Sequence, residues 1–283
     1  MLAGFILLGI GITLTRLESA PAAKSYVLKY IVKEKDVETI NIKLDASANV
    51  EVPSWPKHPV MPLYSRLEQQ IEQKILKISD SQINRIERTY KSSKYFISKS
   101  SQTPKAEPLD GKKMVIELDG TITPTTPISP EMMSLISIDE HRFGLILPTE
   151  EVQVKSEWEV PCETVVRVFN FSNYKKRVLS HGCTEVGINA KFSEGTMKCL
   201  LKDIKSDNAI IEMTVTLKGT DNGMNLDTTL KGTGTFAMKK GRFTKIELVG
   251  DMSLEGMQPC TVKVKPSDMA YGKGKLSIAY EFK

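Results

Sequence analysis

The chain has 283 residues, of which 40% are hydrophobic and 26% are charged, so it can bury a core and is not disordered by composition. Its 39 Lys and Arg residues against 34 Asp and Glu residues give a net charge of +5, which is too small and too diluted by acids for a nucleic-acid-binding protein. It has only three histidines, and imidazole is the commonest metal ligand and the usual general base near neutral pH, so many enzyme mechanisms are disfavoured.

The first residues have the pattern of an export signal. Residues 2–14 form an apolar run, and Ala20-Pro21-Ala22 has the small-x-small pattern of a signal-peptidase cleavage site. The run is shorter than the roughly 20 apolar residues that span a bilayer, so a retained membrane anchor is the alternative rather than the first interpretation. We interpret residues 1–22 as a signal peptide cleaved near Ala22 and expect a periplasmic or secreted protein.

Residues 23–120 are predicted to form a smaller N-terminal β/α unit. Apolar and polar residues alternate over residues 26–33 and again over residues 40–45, which indicates two half-buried strands and a hairpin around residues 34–38. Four prolines in residues 53–63 indicate a loop, because proline cannot donate to a central ladder.

The next segment, residues 64–78, fits two kinds of structure. Its apolar residues are four apart, a spacing that suits one face of a helix and also every second residue on one face of a strand. On a strand, Gln69 and Gln73 would point towards the core. The sequence therefore favours a helix, with a strand as the alternative.

A basic segment, residues 66–105, contains nine basic and four acidic residues, an excess equal to the net charge of the whole chain. The candidate docking residues for an acidic partner of the cell envelope are Arg85, Arg88, Lys91 and Lys94. The alternative is a solvated sheet edge, where lysine commonly prevents pairing with other chains.

Residues 121–150 are predicted to be a linker with one short helix. Ser129, Pro130 and Glu131 supply an N-cap, a first-turn proline and a first-turn acid, so a helix should run to about Ile138.

The C-terminal unit, residues 151–283, has the clearest pattern. From residue 197 onwards apolar and polar residues alternate over long runs, separated by Gly-containing turns, which predicts a meander of about six antiparallel strands with one apolar face. Glycines within the runs, Gly232, Gly234 and Gly250, suggest bends. The predicted fold class is mainly β with minor α, with a curved antiparallel meander or partial barrel in this half.

The four cysteines all lie in this half of the chain, at Cys162, Cys183, Cys199 and Cys260. An even number in an exported protein suggests disulfides, and the sequence leaves all three connectivities open. One bridge with two buried thiols is the alternative. A zinc site is disfavoured because no two cysteines are separated by two to four residues.

No complete catalytic motif is present in the sequence. His181 and Cys183 lie on the same side of an extended segment, but no third group is identifiable to orient the imidazole. We interpret His58 and His141 as solvated loop residues. With no HExxH, Gly-x-Ser-x-Gly or phosphate-loop motif, we expect no catalytic, cofactor-binding or metal-binding residues and no enzyme activity.

The second half of the chain resembles a group of uncharacterised exported bacterial proteins. The resemblance lies in Leu147-Pro148, in Val152, Val154 and Trp158, and in the Gly-rich meander that ends at residues 276–282. It implies an envelope or secreted β protein and transfers no catalytic residues.

These observations give three functional hypotheses. The first is a non-enzymatic exported protein whose curved sheet binds an apolar or amphipathic ligand such as a lipid. The second is a structural or adaptor module of the cell envelope that docks an acidic partner through residues 66–105. A hydrolase is third, and it requires His181 to lie with acids in one deep pocket. No cofactor or nucleic-acid partner is expected, and the oligomeric state is left open.

Overall fold

The structure is a computed structural model that describes residues 24–54, 60–79, 82–96, 105–106, 108–133, 136, 138–139, 141–169, 191–221, 224–257 and 269–283. The predicted signal peptide lies outside these residues, as do His58, His181, Cys183 and Cys260.

Strands dominate the described chain. The strands are β1 (Ser25–Tyr26), β2 (Val37–Glu51), β3 (Val60–Ser79), β4 (Gln82–Phe96), β5 (Lys105–Ala106), β6 (Lys113–Glu117), β7 (Ile122–Pro124), β8 (Val152–Gln153), β9 (Glu157–Pro161), β10 (Lys191–Lys205), β11 (Asn208–Asp221), β12 (Met224–Ala237), β13 (Arg242–Met257) and β14 (Met269–Phe282). The helices are α1 (Pro130–Met133), α2 (Cys162–Phe169) and a 3-10 helix at Phe143–Ile146. The predicted fold class, mainly β with minor α, is confirmed.

One large antiparallel sheet contains nearly all of these strands. Its order is β7-β6-β4-β3-β2-β14-β13-β12-β11-β10-β9, with β5 attached to β4. The described strands do not close into a barrel, since β7 and β9 form the two ends of this order. Strands β10 to β14 each pair with the next in antiparallel order and form five strands of the meander predicted to have about six. Residues 258–268, which include Cys260, lie outside the described residues.

The pairing of β2 with β14 joins the two ends of the chain. Ile42 lies opposite Tyr280 in this ladder, and Leu44 lies opposite Ile278. The strands of the predicted N-terminal unit therefore continue the sheet of the C-terminal meander.

The preference for a helix at residues 64–78 was wrong, because these residues lie within β3. The inward glutamines that argued against a strand have polar partners on β4. Gln69 Nε2 donates to Ser93 Oγ at 2.8 Å, and Arg88 Nη2 donates to Gln73 Oε1 at 2.9 Å. A buried polar side chain costs little when it is hydrogen-bonded, so this strand can place glutamines on its inner face.

Of the predicted N-terminal hairpin, the second strand is confirmed, since residues 40–45 lie in β2, but the first strand and the hairpin are wrong. Within residues 26–33 only Tyr26 belongs to a strand, β1, which pairs with β8 and not with β2. Residues 27–36, here called the strap, then cross the end of the sheet: Ile31 N–H donates to the Gly241 carbonyl at 2.9 Å and Lys35 N–H donates to the Ile75 carbonyl at 2.8 Å. The predicted helix after Ser129 does begin at Pro130, but it ends at Met133.

The inner face of the sheet is apolar, and helical segments cover it near the strap. Alternate residues of the long strands are buried there, including Ile40, Ile71, Ile86, Val215, Leu230 and Ile246. The Phe143 ring lies 5.0 Å from that of Tyr280 and 5.5 Å from that of Phe169. Tyr280 Oη also donates to the Phe169 carbonyl at 3.2 Å, which ties α2 to β14. Apolar faces are stable only when covered, and this aromatic layer covers one end of the sheet.

Candidate functional site

A groove of about 530 Å³ lies between the strap and residues 142–149, which contain the 3-10 helix. It borders the sheet at the β3–β4 turn, where Gln82 and Ile83 line it. The apolar side chains that line its walls are Val27, Leu28 and Val32 on the strap and Leu145, Leu147 and Pro148 opposite.

Two local contacts hold the walls of the groove in place. A Cβ at Gly144 would lie 2.7 Å from the Tyr30 Cβ, so glycine allows the strap to pass closely over the 3-10 helix. On the far side, Trp158 Nε1 donates to the Ile146 carbonyl at 2.9 Å. This bond fixes the chain between Leu145 and Leu147 against β9.

Large apolar side chains are exposed on both walls of the groove. Val27 is 59% exposed and Leu145 is 42% exposed. Scattered exposed apolar residues are ordinary, but two that face each other across a groove are typical of a binding surface.

Next to the groove, three polar residues lie side by side on the inner face of the sheet. Glu38 on β2 pairs with Gln73 on β3, which pairs with Arg88 on β4, and we call these three residues the polar row. Arg88 is fully buried and donates to Gln73 Oε1 through Nη2 at 2.9 Å and Nε at 3.3 Å. Tyr30 Oη donates to the Glu38 carboxylate at 3.2 Å and 3.3 Å.

The groove and the polar row communicate through a small cleft. Tyr30 and Arg142 line both spaces, and Glu38, Gln73 and Arg242 line the cleft. Sequence analysis did not single out Tyr30, Glu38, Arg142 or Arg242. A signal existed for Glu38, because it has the same strand parity as the buried Ile40 and Ile42.

Burial controls the ionisation of the groups around the cleft. It raises the pKa of Glu38, an effect that the nearby Arg242 guanidinium opposes. Burial, together with the Glu38 carboxylate, raises the pKa of Tyr30 well above its usual value, and burial lowers the pKa of Arg142. Arg242 itself forms an ion pair with Asp36 on the strap.

An ion network connects the groove wall to α2. Arg142 Nη1 donates to Asp139 Oδ1 at 2.8 Å, and Arg167 on α2 pairs with the same carboxylate. Arg167 Nη1 also lies 2.9 Å from Glu163 Oε1.

His141 is not the solvated residue that the sequence suggested. It is 1% exposed and stacks on Phe143, with ring centroids 6.2 Å apart. The acids beside it in sequence gave a polar pattern, but the backbone turns the imidazole into the aromatic layer, with a φ of 64°.

The four candidate docking residues do not form one basic face. Arg88 was assigned wrongly to the surface, because it occupies an inward position of β4 and is fully buried. Arg85 Nε lies 3.0 Å from Glu117 Oε1, and Lys91 Nζ lies 3.2 Å from Glu72 Oε1. Lys94 is exposed and lies opposite Glu68 on β3.

Two of the four cysteines are described, and no disulfide joins them to each other. Cys199 is buried on β10, and Cys162 is half-buried at the start of α2. Burial raises the pKa of Cys199 to about 12 and also raises the pKa of Cys162. Since the thiolate is the nucleophile, neither thiol is activated. Disulfides that involve Cys183 or Cys260, which lie outside the described residues, stay predictions.

Within the described ranges, no group of three or more His, Cys, Asp or Glu side chains is placed to hold a metal ion. No helix among the described residues is long and apolar enough to cross a membrane.

No family model matches the chain, and no curated protein matches it. Among solved structures, lipovitellin, in a structure concerned with lipid–protein interactions, is 10% identical with a TM-score of 0.39 over 87% of this chain. This chain spans 25% of the length of that lipovitellin chain. DynF from the dynemicin biosynthesis pathway of Micromonospora chersina is 9% identical with a TM-score of 0.22, over 97% of this chain and 93% of its own. Salmonella typhi OmpF, in complex with daunomycin, is 5% identical with a TM-score of 0.29, over 86% of this chain and 97% of its own. Likenesses at these TM-scores do not define a shared fold.

Proposed function

We propose that this protein is an exported, non-enzymatic binding protein that takes an apolar or amphipathic ligand into the groove between the strap and residues 142–149. The observation that supports this proposal is the groove itself, with about 530 Å³ between two apolar walls. Small-molecule pockets commonly have volumes of about 300–1,000 Å³ and mainly apolar linings with a few polar groups.

The exposed side chains on the two walls supply the driving force. A ligand between Val27 and Leu145 would remove both side chains from water, and each Å² of apolar surface buried contributes about 25 cal/mol. The Arg142 guanidinium, which lines both the groove and the adjoining cleft, would orient the ligand.

The location differs from the concave sheet that the sequence suggested. Many inner-face side chains of the described strands are buried, whereas the groove lies at the end of the sheet, where Ile83 contributes to its lining.

Docking of an acidic partner through residues 66–105 is less well supported. Arg85 and Lys91 already face acids of the same sheet, and Arg88 is buried. Their charges are therefore unavailable or partly compensated on the surface.

The proposal is tested by measuring ligand binding to purified, delipidated protein with the uncharged dye Nile red and with mass spectrometry of material extracted before delipidation. Val27→Trp should fill the groove and weaken dye binding at least about tenfold, because the indole occupies the volume of the ligand. Val249→Trp is the matched control, since Val249 is 56% exposed and does not line the groove.

Equal dye binding by the wild-type protein and Val27→Trp would contradict the groove as the binding site. Absence of any bound or extracted amphiphile would contradict ligand binding itself.

A further inference from the structure

We propose that the ligand of this groove is a single-chain amphiphile with an anionic headgroup, which binds with its tail between the apolar walls and its headgroup at Arg142. This inference rests on the proposed function and adds the charge class of the ligand.

The charged residues that line the groove have one sign. They are Lys29 on the strap and Arg142 on the opposite wall, and no acidic residue is among the described lining. An apolar groove whose charged side chains are both cations is complementary to an amphiphile with a negative head.

Arg142 has the geometry to bind such a head. Its side chain is only 13% exposed, and among the described residues its hydrogen-bond partner is Asp139, through Nη1 alone. The remaining guanidinium donors, on Nε and Nη2, are available, and a guanidinium matches a carboxylate or a similar oxyanion with two parallel donors.

The Asp139 carboxylate does not neutralise Arg142 by itself. Asp139 also pairs with Arg167, so a single carboxylate faces two guanidinium groups. Arg167 also pairs with Glu163. The Glu163 side chain is 79% exposed and does not line the groove.

Acids in the adjoining cleft are engaged with other groups. Glu38 accepts hydrogen bonds from Tyr30 Oη, and Asp36 pairs with Arg242. The inner end of the groove therefore presents Arg142 and the Tyr30 side chain to a ligand, while these acids have partners of their own.

The apolar walls determine where the tail lies. Leu145, Leu147 and Pro148 continue the chain directly beyond Arg142 and face the strap across the groove. A volume of about 530 Å³ falls in the lower half of the range of about 300–1,000 Å³ for small-molecule pockets, which favours one chain over a two-chain lipid.

Calorimetric titration of the delipidated full-length protein with three ten-carbon amphiphiles below their micellar concentrations tests the inference. Decanoate should bind at least about tenfold more tightly than 1-decanol, and decyltrimethylammonium should bind more weakly than both, because only decanoate pairs with the two cations. Similar affinities for decanoate and 1-decanol would overturn the anionic headgroup and leave the proposed function intact. Binding of none of the three would overturn the proposed function.

Two variants test which cation of the groove pairs with the anionic headgroup. Arg142→Gln should abolish the preference for decanoate over 1-decanol. Lys29→Gln, at an exposed position whose substitution leaves the core unchanged, should weaken decanoate binding about threefold and leave 1-decanol binding unchanged. Lys33→Gln, an exposed strap lysine outside the groove lining, is the matched control and should bind as the wild type does. An unaltered decanoate preference in both groove variants would overturn the inference.

Discussion

Arg88 shows that a charged side chain can belong to the inner face of this sheet. It is fully buried, and its guanidinium donates twice to Gln73 Oε1 on the neighbouring strand, which meets part of its hydrogen-bonding capacity. A polar atom left without a partner in such a place costs about 1–3 kcal/mol. Residue type alone suggests a surface arginine, whereas the inward position on β4 and the hydrogen bonds to β3 place it in the core.

Arg88→Ala is expected to lower the free energy of unfolding by about 3 kcal/mol, because it removes the partner of Gln73 and leaves a cavity. The measurement is the urea midpoint at constant m-value. Lys91→Ala, also on β4, breaks an exposed ion pair with Glu72 and should lower the free energy of unfolding by at most about 1 kcal/mol. Equal midpoints for the two variants would contradict a structural role for Arg88.

Glu38 makes stability depend on pH. Burial raises its pKa above the usual 4.5, so the folded protein holds this proton more tightly than the unfolded chain does. The stability that the protonated carboxyl contributes is complete below about pH 4.5 and is lost as the pH rises through the raised value.

Glu38→Gln, which is neutral at every pH and keeps an acceptor for Tyr30, should therefore be more stable than the wild type at pH 7. The difference should shrink as the pH falls towards 4. Melting temperatures of both proteins between pH 4 and 8 test this expectation, with Glu281→Gln as the control at an exposed position of β14. If the difference in melting temperature between Glu38→Gln and the wild type grows as the pH falls, burial does not raise the pKa of Glu38.

Apolar–polar alternation predicted some of the strands correctly and failed for β3. The alternation of the meander predicted β11 to β14 correctly, because one face of each strand is buried. In β3 the same alternation is interrupted by polar residues on the buried side, and Gln69 and Gln73 have their partners on a neighbouring strand. A helix was therefore the better local fit to a sequence that forms a strand in the sheet.

The interior glycines of β12 and β13 are required by a close approach of the two strands. A Cβ at Gly250 would lie 1.8 Å from the Thr229 carbonyl oxygen, and one at Gly232 would lie 1.7 Å from the Glu247 carbonyl oxygen. These contacts are with backbone atoms, which cannot move aside as a flexible side chain does.

Gly250→Ala should consequently lower the free energy of unfolding by about 1–3 kcal/mol through overpacking. Gly272→Ala on β14 is the matched control. The atoms nearest to its Cβ would be side-chain atoms of Val50 and Leu254, at 3.1 Å and 3.2 Å. The lower conformational entropy of the unfolded chain without this glycine offsets these contacts. Chemical denaturation of both variants provides the comparison, and a destabilisation that is larger at Gly272 would contradict the close approach.

At the scale of the whole molecule, one ladder unites the two halves of the chain. Strands β2 and β14 pair over most of their lengths, from Ile40 opposite Phe282 to Glu51 opposite Tyr271. Without β2, β14 becomes a long edge strand with unpaired backbone groups, and the aromatic layer loses its neighbours on β2.

Residues 24–150 and 151–283, expressed separately, should each fail to show a cooperative thermal transition. Coexpression should restore a single transition and joint elution in size-exclusion chromatography, because the β2–β14 ladder forms between the fragments. If residues 151–283 alone melt as sharply as the full chain, the two sequence-defined units are independent domains.

The alternation of apolar and polar residues is enough to predict a mainly β protein, the strands of the meander and their apolar faces, because these properties depend on the period of two along each strand. That β3 is a strand, that Arg88 and His141 are buried, and that the strap and residues 142–149 enclose a groove becomes evident only in the folded protein. Each of these depends on contacts between residues far apart in the chain, such as Gln73 with Arg88 or Ile31 with Gly241, and such pairings leave no local periodic signal.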